Sequence, residues 1–244
     1  YPVYFVIFYP EPEPHQTIAD VLLALRKFVE KAKALHGGKA PILYGNCQAG
    51  WMLAILAADC QGLVGPVVTN GSPLSYWASG EERSPMQIMG SLAGGTWIAR
   101  LMSDLGNGTF DGAWLVGNFE KLNPANALWG KYYDLYAHID TERERFLEFE
   151  RWWTGYHSFS EEEITATVQN LFIGNKLERG ELKLHEGCTI DLKRIKSPLL
   201  IFASHGDHIT PPRQALHWVR QIYPTTGALK KAGQRIAYMI NSHI

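Results

Sequence analysis

The stretch PILYGNCQAGWML, residues 41–53, links two apolar runs through Gly45, Asn46, Cys47, Gln48, Ala49 and Gly50. The first run has strand character. The second continues as QAGWMLAILAADC and is apolar nearly all round, the pattern of a buried helix. A thiol among small residues, where a strand becomes a helix, is the arrangement of a nucleophile elbow. Such a turn holds its side chain clear of the backbone in a strained conformation. Small residues two positions before and after let neighbouring chain come close. The helix N-terminus is expected to lower the pKa of the Cys47 thiol. The backbone N–H of Gln48 is expected to face a developing oxyanion. The competing reading is a structural cysteine buried at a Gly-rich turn.

Outward from this turn, strand-like and helix-like segments alternate. VYFVIFY, residues 3–9, is β-branched and aromatic on both faces and reads as a buried parallel strand. PEPEP at 10–14 ends it. From Thr17, Ile18, Val21, Leu22, Leu25 and Val29 form a helical stripe. LVGPVVTNGSP supplies another strand, so the first 78 residues read as a β-α-β-α-β unit of a parallel sheet. Residues 79–192 are rich in Trp, Tyr and Phe and poor in strand-like runs, and read as a helical lid insertion. Within it, Ser160 and Glu163 form a capping box, and Ile164, Val168, Leu171 and Phe172 share a face. Residues 193–244 return to the core: SPLLIFASHGD as a strand, PPRQALHWVRQIY as a helix with Pro at its start, and QRIAYMIN as the last strand. The expected fold class is α/β, a mostly parallel sheet with flanking helices and a helical lid.

Bulk properties narrow the function. The 244 residues are 46% hydrophobic, enough for a sizeable core. A net charge of −1 gives no reason to expect nucleic acid as a partner. No apolar stretch approaches the roughly 18 residues of a membrane span. Three cysteines do not make a disulfide framework, and a reducing cytoplasm is the expected location. The sequence opens without Met inside an apolar run and stops just after another. It is therefore expected to be a truncated piece of a longer chain.

A thiol nucleophile needs a base, and the base needs an orienting acid. In elbow enzymes the chain order is nucleophile, acid, His. Asp207, in SHGDHITPP, follows a strand where the acid belongs; its competing role is to cap the next helix. His208 faces differently and reads as structural. His205 precedes the acid and breaks the order. His243 follows the last strand and keeps it, against the alternative of a terminal residue without a role. His185 and Cys188 form an H-x-x-C that lacks two further ligands, so no metal is expected. HGGK at 36–39 lacks phosphate-loop spacing. Trp152 and Trp153 read as lid core rather than an acyl pocket, and Cys60 as buried filler.

On these residues the sequence resembles the polyhydroxyalkanoate synthases, acyltransferases of the α/β-hydrolase fold, and within them a subgroup described as hydroxyalkanoate synthetase-like. GNCQAG resembles their G-x-C-x-G-G box, with Ala49 in place of a Gly. QTIADV, NKLERGELKLHEGCTIDLKRIKSPLL and GDHITPP are similar to family segments before a helix, before the acid strand and at the acid. The resemblance implies a Cys47–His243–Asp207 triad, with Gln48 as oxyanion donor. The family's His lies in a G-H-I turn. Ser242-His243-Ile244 lacks that Gly, which leaves a His beyond Ile244 as the alternative base. The implied substrates are 3-hydroxyacyl coenzyme A thioesters or esters, with no other cofactor. A polyester granule surface and a second copy of the chain join the candidate partners.

The chemistry is consistent with that resemblance. An acyl group on Cys47 would be a thioester, close in energy to a coenzyme A thioester, so transfer between the two is nearly balanced. The alternatives are an esterase or thioesterase on the same triad, and a hydrolase scaffold that binds without catalysis. Dienelactone hydrolases share the G-x-C-x-G elbow but have no room for the long insertion.

Overall fold

The computed structural model describes residues 2–78, 94–121 and 123–243. The chain divides into two compact units: residues 1–16 with 98–164, and residues 17–97 with 165–244. Residues 79–93 of the expected insertion lie outside the described residues, as does Ile244.

The larger unit is built on a four-stranded parallel sheet. Its strands are β1 (Leu43–Asn46), β2 (Val67–Asn70), β7 (Leu199–Ser204) and β8 (Ile236–Asn241), side by side in that order. Parallel neighbours need crossover connections. α2 (Gln48–Asp59) links β1 to β2, and α8 (Pro212–Ile222) follows β7. α1 (Ile18–Leu35) leads into β1 and buries Val21, Leu22, Leu25 and Val29, the expected stripe. Its N-cap is Thr17, whose side chain accepts from the Asp20 N–H while Asp20 accepts from the Thr17 N–H.

α2 forms the centre of this unit. Its residues from Trp51 to Ala58, apart from Met52, are buried, with Ile55 fully enclosed. An apolar helix of this kind is stable only when covered on all sides. β1, β2, α1 and the turn at Leu192–Arg194 cover it. A two-stranded hairpin, β5 (Leu182–His185) with β6 (Cys188–Ile190), also belongs to this unit. His185 and Cys188 face each other across that hairpin. Among the described residues, no three His, Cys, Asp or Glu side chains converge as metal ligands.

The smaller unit is helical: α3 (Trp97–Leu105) at its border, α4 (Gly112–Glu120), α5 (Lys131–Ala137) and α6 (Ile139–Trp153), with a short antiparallel pair of β3 (Thr109–Phe110) and β4 (Phe159–Ser160). The expected capping box starts α7 (Glu161–Thr167). Ser160 Oγ accepts from the Glu163 N–H at 3.0 Å, and Glu163 accepts from the Ser160 N–H at 3.2 Å. Of the four residues expected to share a face, Ile164, Leu171 and Phe172 are each buried, while Val168 is half-buried. Trp152 is 68% exposed, while Trp153 donates its indole N–H to Glu120.

The expected first strand is not formed. Residues 3–9 are irregular and exposed, with Phe5, Ile7 and Tyr9 each more than 80% accessible. Local β propensity makes a strand only where a neighbour completes the ladder. This segment has none among the described residues. Just beyond it, Ser158 donates its N–H to Pro10 O at 2.8 Å, and Gln16 bonds Glu163 at 2.8 Å.

Among the described residues, no helix is long and apolar enough to cross a membrane. The parallel sheet, its crossover helices and the strand–turn–helix at Cys47 form an α/β-hydrolase fold.

Candidate active site

The four strands end on one edge of the sheet, and the residues of interest gather there. In open parallel sheets this carboxyl edge is where ligands bind. Cys47 follows the last residue of β1 and precedes the first of α2, at φ 52° and ψ −122°. A non-glycine residue adopts this conformation only under constraint. The constraints are identifiable. The Cys47 N–H donates to Asn70 O at 2.9 Å, and the Gly50 N–H donates to Cys47 O at 3.0 Å. Ser72 Oγ donates to Asn70 O at 3.1 Å and to Gly45 O at 3.4 Å.

The small residues of the box are required by packing. A Cβ on Gly45 would lie 2.9 Å from the backbone carbonyl carbon of Ala49, and one on Gly50 would collide with the Ser72 side chain. Ala49 itself is exposed, so its methyl group meets no such wall. This accounts for Ala where the resembled box has Gly.

A cavity of about 590 Å³ opens over this edge. Cys47, Asp207 and His243 all line it, with Asn46 and Asn70 beside the thiol and Met239, Ile240 and Asn241 on the β8 side. Asp207 lies beyond β7 in a tight turn. Its Oδ1 accepts the N–H groups of Ile209 and Thr210, each at 2.9 Å. One carboxylate oxygen thus holds the residues of its own turn and does not cap the next helix, whose N-cap is Pro211. The other, Oδ2, faces Gly71, where a Cβ would lie 3.2 Å away. Gly71 sits at φ 53°. His243 lies two residues past β8, and its carbonyl oxygen accepts from Ser204 Oγ at 2.9 Å. His205 and His208 are exposed and do not line the cavity.

The electrostatics of Cys47 differ from the sequence expectation. Burial pushes the thiol above its ordinary pKa, and the Asp207 carboxylate pushes the same way. The Gln48 backbone N–H donates toward the sulfur and opposes both, without reversing them. Desolvation outweighs the helix end, so the resting form is the neutral thiol. A base is therefore needed to generate the nucleophile. Cys60 is buried with its thiol pushed up to about 11, and Cys188 is half-exposed. Neither lines the cavity.

Sequence reasoning missed the residues that support Gln48. Its side-chain oxygen accepts from the Trp51 indole N–H and from the Tyr76 hydroxyl, the latter at 3.1 Å. Trp51 was foreseeable as an i+3 neighbour on the same helix. Tyr76, in a loop after β2, carried no local signal.

The chain matches over residues 1–244 the family described as "Protein of unknown function (DUF3141)", and it belongs to that family. It is 47% identical over 244 residues to the "Uncharacterized protein in ackA 5'region" of Rhizobium meliloti, a match covering 99% of this chain and 33% of that protein. It is 24% identical over 225 residues to the "Poly(3-hydroxyalkanoate) polymerase subunit PhaC" of Haloferax mediterranei, covering 85% of this chain and 42% of that one. The chain thus spans less than half the length of either relative. Among solved structures it is similar to the monoacylglycerol lipase of Paleococcus ferrophilus, with TM-score 0.48 and 15% identity, covering 94% of this chain and 68% of the lipase. It is also similar to MenH from S. aureus, with TM-score 0.46 and 13% identity, covering 93% and 68%.

Proposed function

We propose that this protein is an acyltransferase that moves 3-hydroxyacyl groups from coenzyme A thioesters through a Cys47–His243–Asp207 triad. The observation that carries the reading is the shared cavity: the thiol of the elbow after β1, a carboxylate after β7 and an imidazole-bearing residue after β8 line one space. The similarity to a poly(3-hydroxyalkanoate) polymerase subunit supports the choice of acyl group.

The steps follow from the chemistry of these groups. His243 takes the proton from Cys47 Sγ, and the thiolate attacks the carbonyl carbon of the incoming thioester. The oxygen that gains charge is met by the Gln48 N–H. Collapse breaks the bond to coenzyme A, whose sulfur leaves with the proton from His243, and the acyl group stays on Cys47. His243 then takes the proton of the 3-hydroxyl of a second acyl group, and that oxygen attacks the Cys47 thioester. An ester forms, and Cys47 leaves with the proton. Asp207 Oδ2 holds the imidazole in the tautomer that accepts from sulfur. The neutral resting thiol suits this scheme, because the nucleophile is generated only with the base in place.

Residues 79–192 are proposed as the lid that excludes water, favouring transfer over hydrolysis. The same reading sets the reaction in a reducing cytoplasm, where a free thiol persists. A polyester granule surface and a second copy of the chain are its proposed partners. The test is incubation of the full-length protein with 3-hydroxybutyryl coenzyme A. Polymer formation is the expected result. Release of only free hydroxy acid and coenzyme A would make the protein a thioesterase on the same site.

A further inference from the structure

The Gln48 amide is fixed by its surroundings. Two donors converge on its oxygen, one from the same helix (Trp51) and one from across the unit (Tyr76). Tyr76 is itself held rigidly. It is 2% exposed, and its ring lies against Phe172 at 5.0 Å between centroids. Its backbone N–H donates to Asn175 Oδ1 at 3.0 Å. Asn175 in turn bonds the carboxylate of Glu178, which also accepts from Ser75 Oγ at 2.9 Å and pairs with His217 Nδ1 at 2.7 Å. Adjacent N–H groups, those of Leu74 and Ser75, donate to Gln214 O at 3.0 and 2.9 Å. The loop that carries Tyr76 is thus anchored on both sides.

A buried phenol needs a hydrogen-bond partner. Burial pushes the Tyr76 hydroxyl well above its ordinary pKa, so it stays a neutral donor, and the Cys47 thiolate pushes it the same way. The hydroxyl is therefore within electrostatic reach of the nucleophile, although its bond goes to the next residue. Gln48 is the first residue of α2, where backbone N–H groups have no partner within the helix. Its direction is set by the elbow on one side and by its own side chain on the other.

We propose that Tyr76 is a positioning residue for acyl transfer: its hydroxyl, bonded to the side chain of Gln48, fixes the Gln48 N–H where negative charge develops on the reacting carbonyl oxygen. The proposal rests on the function above. Donors that need no reorganisation during the reaction contribute most to such stabilisation, and small displacements are costly.

The experiment separates a reaction that develops an oxyanion from one that does not. Acylation of Cys47 by p-nitrophenyl butyrate passes through a tetrahedral oxyanion. Alkylation of the same thiol by iodoacetamide is a direct displacement at carbon and forms none. In the full-length protein, Tyr76→Phe is expected to lower the acylation rate about tenfold, in kcat rather than KM, with the alkylation rate unchanged within about twofold. Gln48→Met removes the acceptor instead of the donor and is expected to do the same. The double variant is expected to be no slower than either single one, since both break one bond. Equal loss of both reactions, or no loss of either, would overturn the inference while leaving the function intact. Absence of any acyl adduct on Cys47 in the unaltered protein would overturn the function, and the inference with it.

Discussion

The backbone N–H of Cys47 donates to the carbonyl oxygen of Asn70 at 2.9 Å, one residue past the last paired positions of β1 and β2, Asn46 and Asn70. The ladder thus reaches into the elbow and holds a non-glycine residue at φ 52°. Strain of this kind persists only when neighbouring structure over-determines it. The sheet supplies one side of that constraint, and the packing of Gly45 and Gly50 supplies the other.

The glycine packing gives the first prediction. Gly50→Ala would drive a methyl group into the Ser72 side chain, which itself bonds Asn70 and Gly45. The expected cost is about 1–3 kcal/mol of stability, typical of overpacking. A lowered urea midpoint checks it. Ala49→Gly, at an exposed position, is expected to change stability by under about 1 kcal/mol, the difference in helix propensity.

Asp207→Asn separates two effects of one carboxylate. Its charge raises the pKa of the Cys47 thiol, so removing it lowers that pKa and increases the thiolate fraction at any fixed pH. Iodoacetamide should therefore label Cys47 faster in the variant at about pH 8. Acyl transfer should fall by about 10³–10⁴-fold, because the imidazole loses its orienting partner. Opposite movements of the two rates are the signature, read by labelling kinetics and steady-state turnover on the same preparation.

The three histidines of the carboxyl edge should behave differently. His243→Ala is expected to lower acyl transfer by about 10³-fold or more. His205→Ala and His208→Ala, whose side chains lie outside the cavity, should leave it within about threefold. A full effect at His205 instead would reassign the base.

Glu178 is a structural prediction. Its carboxylate is 8% exposed and gathers Ser75, Asn175 and His217. Glu178→Ala removes the acceptor shared by Ser75 Oγ, Asn175 Nδ2 and His217 Nδ1 and is expected to cost about 3 kcal/mol. Glu178→Gln, which keeps an acceptor oxygen, should cost less. Equilibrium unfolding in urea compares the two.

The parts legible in the sequence were those set by local pattern. The elbow could be read because strand, small residues and apolar helix are contiguous around Cys47, and each constrains the next. The cap at Ser160 with Glu163 could be read because a capping box spans only four residues. Residues 3–9 were misread because pairing is non-local: seven strand-forming side chains cannot supply the neighbouring strand. The Cys47 pKa was misread because the helix end is visible in sequence and burial is not. Tyr76 was missed for a related reason. It is 28 positions from Gln48, and only the turn after β2 brings them together.

The most direct measurement is peptide mapping of the full-length protein after brief incubation with 3-hydroxybutyryl coenzyme A, alongside Cys47→Ala. The account predicts a hydroxyacyl group on the peptide that contains Cys47, released by hydroxylamine as a thioester is, and absent from the variant. An unmodified Cys47 in a protein that still consumes the substrate, or a variant that turns over as fast as the original, would contradict it.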